Sequence, residues 1–177
     1  MIVLVTGGSG SGKSAFAEDT VLRMGEGKRI YIATMFPFDA ESYKRIDRHR
    51  DMRAGKGFET VERYTDLAGL KLPPNSIVLL ECMSNLVANE MFQPDGAGEH
   101  TVEAVLEGVK KLKDQCRDVV IVTNEIFSEG ILYQGDTALY QEYLGRINQE
   151  LAKMADQVAE VVYGIPVFHK GEEGVFS

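Results

Sequence analysis

Cysteine is scarce in this chain of 177 residues: only Cys82 and Cys116 are present. Their spacing fits neither a metal-binding pair nor a disulfide framework, so a reducing compartment suits them, and the expected location is the cytoplasm. Basic charge is short as well. Nineteen Lys and Arg face twenty-seven Asp and Glu, for a formal net charge of −8. Such an acidic chain is a poor general nucleic-acid binder, because neutralising phosphates supplies most non-specific affinity. It can still hold a nucleotide at a local basic site. No apolar run approaches the roughly 20 residues needed to cross a bilayer. Met1 to Thr6 runs straight into a glycine loop, which leaves no secretion signal to expect. Internal repeats, low-complexity stretches and interdomain linkers are also missing, so residues 1–177 are expected to form one domain.

What is present is an alternation. Short β-rich apolar runs at Ile2–Thr6, Arg29–Thr34, Ser76–Leu80, Asp118–Thr123 and Val158–Tyr163 are separated by helical stretches at Lys13–Met24, Asp39–Arg53, Ser84–Phe92, Thr101–Cys116 and Thr137–Ala155. Phe58–Val61 is a weaker strand candidate. Asp39 is the expected N-cap of its helix. Ser128–Asp136 reads as a loop, Gly164-Ile165-Pro166 as a breaker, and Lys170–Ser177 as a frayed tail. Continuous apolar strands between helices indicate an α/β fold with a mainly parallel sheet covered on both faces.

Gly7-Gly8-Ser9-Gly10-Ser11-Gly12-Lys13-Ser14 matches G-x-x-x-x-G-K-[ST]. It follows an expected strand and opens an expected helix, which is the context a phosphate loop requires. The glycines let successive N–H groups turn toward phosphate oxygens, and the helix N-terminus adds partial positive charge. Lys13 supplies a point charge to the β- and γ-phosphates, and the Ser14 hydroxyl is placed to ligate Mg²⁺. Glu81 ends another apolar strand. An acid at that place helps hold the metal in P-loop enzymes, usually as Asp, so Glu81 departs by one methylene; an acid on the rim with no ligand role is the alternative.

Arg45, His49 and Arg53 stand at i, i+4 and i+8, along one helix stripe. A neutral imidazole is a nucleophile, and the arginines could bind a triphosphate beside it. A solvated charged helix with an incidental histidine is the competing reading. His100 could cap the helix that follows it, and His169 lies near the end; neither has a useful neighbour.

Taken together, four stretches resemble the bifunctional adenosylcobinamide kinase / adenosylcobinamide-phosphate guanylyltransferase family of cobalamin biosynthesis. They are Ile2–Ser14; Tyr31-Ile32-Ala33-Thr34 with the Arg45–Arg53 helix; Leu79-Leu80-Glu81-Cys82 with Asn85-Leu86-Val87; and Val122-Thr123-Asn124-Glu125 with Gly145-Arg146-Ile147-Asn148-Gln149 and Ala155-Asp156. The resemblance implies a RecA-like P-loop NTPase fold and a homotrimer. It implies that ATP or GTP phosphorylates adenosylcobinamide, and that a histidine, here His49, takes GMP from GTP and passes it to adenosylcobinamide phosphate. It also implies nucleotide contacts at Gly7 to Ser14, Ala33, Thr34, Met35, Arg50, Asp51, Met52, Arg53, Glu62 and Glu81. Four features depart from the family pattern, one being a segment up to Glu62 that is one residue longer. Gly10 replaces an arginine, Ala54 follows Arg53 where the family has an Arg-Pro, and Ile126–Tyr133 lacks the family's proline. A monofunctional small-molecule kinase, or a GTP-binding regulatory protein, would share the phosphate loop. The latter is disfavoured because Thr123-Asn124-Glu125-Ile126 does not supply Asn-Lys-x-Asp.

Overall fold

The computed structural model describes residues 1–127 and 133–172. Seven strands form one sheet in the order β3-β2-β4-β5-β1-β6-β7. They are β1 (Ile2–Thr6), β2 (Arg29–Ala33), β3 (Phe58–Glu62), β4 (Ile77–Glu81), β5 (Asp118–Val122), β6 (Gln157–Val162) and β7 (Ile165–Lys170). The first six are parallel. The helices are α1 (Lys13–Arg23), α2 (Ala40–Arg53), α3 (Met83–Phe92), α4 (Thr101–Gln115) and α5 (Asp136–Met154). The expected α/β architecture with a mainly parallel sheet is observed.

Because side chains alternate across a strand, each central strand feeds two cores. Ile2, Leu4, Ile30, Ile32, Val78, Leu80, Val119 and Ile121 pack with α3, α4 and α5 on one face. Val3, Val5, Tyr31, Ile77, Leu79, Val120 and Val122 pack against Ala17 and Val21 of α1, and Met24 just after it, on the other. Burial on both faces explains why β4 and β5 read as uninterrupted apolar runs.

β7 corrects the sequence reading. Gly164-Ile165-Pro166 does not end the sheet but turns it, because β7 pairs antiparallel with β6. Tyr163 and Gly164 both have positive φ, 52° and 78°, the backbone of a tight two-residue hairpin turn. Pro166 is tolerated because β7 is the sheet edge. His169, expected near a frayed end, lies in β7 and sits 2.9 Å from Glu160 of β6. His100 precedes α4 without making a side-chain cap. The expected loop at 128–132 and the tail at 173–177 lie outside the described residues.

Candidate functional site

All parallel strands point their C-terminal ends the same way, so the segments that follow β1, β2 and β4 meet at one edge. After β1 comes the phosphate loop. Gly12 has φ 92°, and a Cβ there would meet Gly164 Cα at 3.2 Å, so the position needs glycine on both counts. The β6–β7 turn presses on the loop from behind: Gly164 N donates to Ser11 O at 2.8 Å. Lys13 folds back to donate to Gly8 O at 2.9 Å. Burial pushes its ammonium below the usual lysine range, with the charges at Cys82 and Glu81 working the other way.

β4 ends on Glu81, which is 7% exposed. Its carboxylate is a meeting point. Ser14 Oγ donates to Oε1 at 2.7 Å. Tyr31 Oη donates to Oε2 at 2.9 Å. His49 Nδ1 stands 3.4 Å from Oε1. That last contact is longer than an ordinary hydrogen bond, and Nδ1 is otherwise buried with no hydrogen-bond partner among the described residues. The phosphate loop and the histidine helix are therefore linked through one acid.

α2 crosses above these ends. Asp39 caps it as expected, accepting from Ser42 N at 2.8 Å. The stripe Arg45, His49, Arg53 exists, and each arginine shares a cavity wall with His49. Arg45 pairs with Glu41 on the same helix and lines the outer cleft. Arg53, 6% exposed, lies flat on the Tyr31 ring at 3.3 Å, with Nη1 buried and unpartnered among the described residues. The imidazole itself stands against the Glu81 carboxylate.

A cleft of about 770 Å³ is lined by Ser9, Gly10, Ser11, Gly12, Lys13 and Ser14 together with Met35, His49 and Glu81. A smaller pocket beside it brings Ala33, Met35, His49, Arg53 and Glu81 together with Tyr31. Arg50 lies on the outer side, bonded to Glu62 at 3.2 Å. Glu62 is exposed and also accepts from Tyr64. Thr34 is buried and structural: its hydroxyl donates to Cys82 O at 2.8 Å and accepts from Cys82 N at 2.7 Å. Gly7 and Gly8 form the base of the loop. Asp51 is solvent-exposed, and the Met52 side chain lies outside what the structure describes. The Gly145–Gln149 segment braces the sheet: Asn148 accepts from Thr123 at 2.8 Å.

Sequence reasoning missed Tyr31. The signal was there, since a tyrosine in an otherwise apolar buried strand needs a partner for its hydroxyl. Its hydroxyl proton is held well above the usual tyrosine range by burial and by the charge on Glu81.

Comparison with known proteins places relatives along nearly the whole chain. A sequence model of the family described as cobinamide kinase / cobinamide phosphate guanyltransferase matches residues 3–168. The bifunctional adenosylcobalamin biosynthesis protein CobU of Escherichia coli (strain K12) is 37% identical, covering 94% of this chain and 98% of its own length. The protein of the same name from Salmonella typhimurium is 35% identical with the same coverage. CobP from Pseudomonas aeruginosa, also described as a bifunctional adenosylcobalamin biosynthesis protein, is 30% identical over 96% of this chain and 97% of its own. Among solved structures, an ATPase from a type III secretion system superposes with a TM-score of 0.57 at 9% identity. It covers 99% of this chain, which spans 60% of that one, and shows a shared fold.

Proposed function

Because the chain belongs to the cobinamide kinase / cobinamide phosphate guanyltransferase family, we propose that it carries out both reactions in this one cleft. In the first, ATP or GTP gives its γ-phosphoryl group to the hydroxyl of adenosylcobinamide. In the second, His49 attacks the α-phosphate of GTP. A nitrogen–phosphorus bond forms, the bond from Pα to the bridging oxygen breaks, and pyrophosphate leaves with the electron pair. An oxygen of adenosylcobinamide phosphate then displaces the imidazole, giving adenosylcobinamide-GDP. A covalent histidine divides one hard nucleotidyl transfer into two in-line displacements.

The observation that carries this reading is the placement of His49 on the wall of the cleft that the phosphate loop floors. Backbone N–H groups of Gly8 to Gly12, with Lys13, suit the β- and γ-phosphates in either reaction. Arg50, Asp51, Met52, Arg53 and Glu62, with Ala33, Thr34 and Met35, would surround the nucleoside part. Ser14 and Glu81 fit Mg²⁺: a hydroxyl and a carboxylate are hard oxygen donors and stand 2.7 Å apart on the cleft wall. When bound there, the ion would neutralise charge on the phosphates. Two free cysteines suit a cytoplasmic, reducing setting.

Intact-protein mass spectrometry after incubation with GTP and Mg²⁺ tests the reading. The expected result is one acid-labile GMP adduct on His49. It should be absent from His49→Ala, which keeps corrinoid phosphorylation. A folded, GTP-binding wild type that forms no adduct would reduce the activity to a kinase.

A further inference from the structure

His49 needs more than proximity to a phosphate. A nucleophilic imidazole must present the lone pair of one ring nitrogen while the other nitrogen keeps the proton. Which nitrogen does so is set by the hydrogen bond the proton makes. As the nitrogen–phosphorus bond forms, the ring gains positive charge, and a carboxylate at the far nitrogen stabilises it.

Glu81 is placed for that task. Nδ1 of His49 is buried, makes no hydrogen bond among the described residues, and faces Oε1 of Glu81 at 3.4 Å. Such contacts are often long without substrate and tighten in the reacting complex. The carboxylate is not free to swing, because Tyr31 donates to its other oxygen at 2.9 Å. Tyr31 is itself fixed, 4% exposed, with the Arg53 guanidinium stacked on its ring at 3.3 Å. Oε1 is shared, because the Ser14 hydroxyl donates to it at 2.7 Å. The carboxylate that would hold Mg²⁺ together with Ser14 therefore also faces Nδ1 of His49.

We propose that Tyr31 and Glu81 are positioning residues for guanylyl transfer: Tyr31 fixes Glu81, and Glu81 holds the proton on Nδ1 of His49 so that Nε2 carries the attacking lone pair. In the balanced step, the Nε2 pair forms the bond to Pα and the Pα–O–Pβ bond breaks toward pyrophosphate. The Nδ1 proton stays between His49 and Glu81. When the acceptor oxygen attacks, the pair returns to Nε2. The inference rests on the reading of His49 as the nucleophile, and its first readout does not depend on that chemistry.

That readout is the ¹⁵N NMR spectrum of the His49 ring in the nucleotide-free protein, recorded with the ring neutral, for wild type, Tyr31→Phe and Glu81→Gln. Wild type should show the Nδ1–H tautomer, and both variants should shift toward Nε2–H. The second readout is the rate of GMP adduct formation relative to the kinase rate in the same preparations. This ratio should fall roughly tenfold or more in Tyr31→Phe, the range typical of losing a residue that orients a ligating histidine. Tyr31→Phe keeps the ring under Arg53 and removes only the hydrogen bond to Glu81, leaving the carboxylate and Ser14 in place, so it separates orientation from loss of the acid. A wild-type ring protonated on Nε2, or an unchanged ratio in Tyr31→Phe, overturns the proposal. A wild type with the expected tautomer but no adduct overturns the nucleophile reading instead.

Discussion

The extra methylene that distinguishes Glu81 from an aspartate has a physical use. From the end of β4 the longer arm brings one carboxylate within reach of Ser14 of α1, Tyr31 of β2 and His49 of α2. Lys13 shows the opposite economy. Burial lowers its folded-state value below the unfolded 10.5. The unfolded chain therefore holds that proton more tightly, and stability rises with pH between the depressed value and 10.5. At neutral pH the half-buried ammonium is a cost to the empty protein, kept for binding phosphate. Lys13→Met should raise the melting temperature of the nucleotide-free protein and abolish the further rise that GTP gives the wild type. Thermal unfolding with and without GTP checks both, and a lower melting temperature in the free variant would count against the argument. The phosphate loop, His49 and Glu81 were legible in sequence because each is tied to a motif or a strand end. The bond between Tyr31 and Glu81 was not, since it joins residues fifty apart through the parallel register of β2 and β4.

Among the elements, α2 differs from the other helices. It is strongly polar, and among its described side chains only Arg53 is buried and none belongs to either apolar core. Its N-terminus depends on Asp39, whose carboxyl the Ser42 backbone and hydroxyl hold below the usual range. A depressed acid contributes above its unfolded value and stops contributing as pH falls through the folded one. Asp39→Ala, or acidification of the wild type, should speed amide exchange in the first turn of α2 and leave α3 and α4 protected. Hydrogen–deuterium exchange resolves the three helices. α4 gives the contrasting case, because a Cβ on Gly108 would stand 2.7 Å from Leu67 Cβ. Gly108→Val should lower stability by about 1–3 kcal/mol through overpacking, measured by chemical denaturation. Helix positions were readable because their apolar spacing is strong, as in α4, where Val102, Val105, Val109 and Leu112 are all buried. β7 was hidden because glycine and proline punctuate both turns and chain breaks, and only pairing with β6 distinguishes them.

At the scale of the whole molecule, the homotrimer that the sequence resemblance implies is an expectation to test. Sedimentation equilibrium should find three 19.6 kDa chains per particle. Hydrophobic side chains at the β6–β7 turn, including Tyr163 at 94% exposure and Ile165 at 66%, supply an apolar surface that association could cover. Tyr163→Asp should then weaken the assembly, and a monomeric wild type would overturn the expectation.

The sheet order also sets a timetable for synthesis. β1 is made first, yet its two neighbours are β5 and β6, whose residues begin at 118 and 157. The phosphate loop waits longer still for its prop at Gly164. On the ribosome, the first strand stays an unpaired apolar segment until most of the chain has emerged. The phosphate loop therefore lacks its full support until the last hairpin closes.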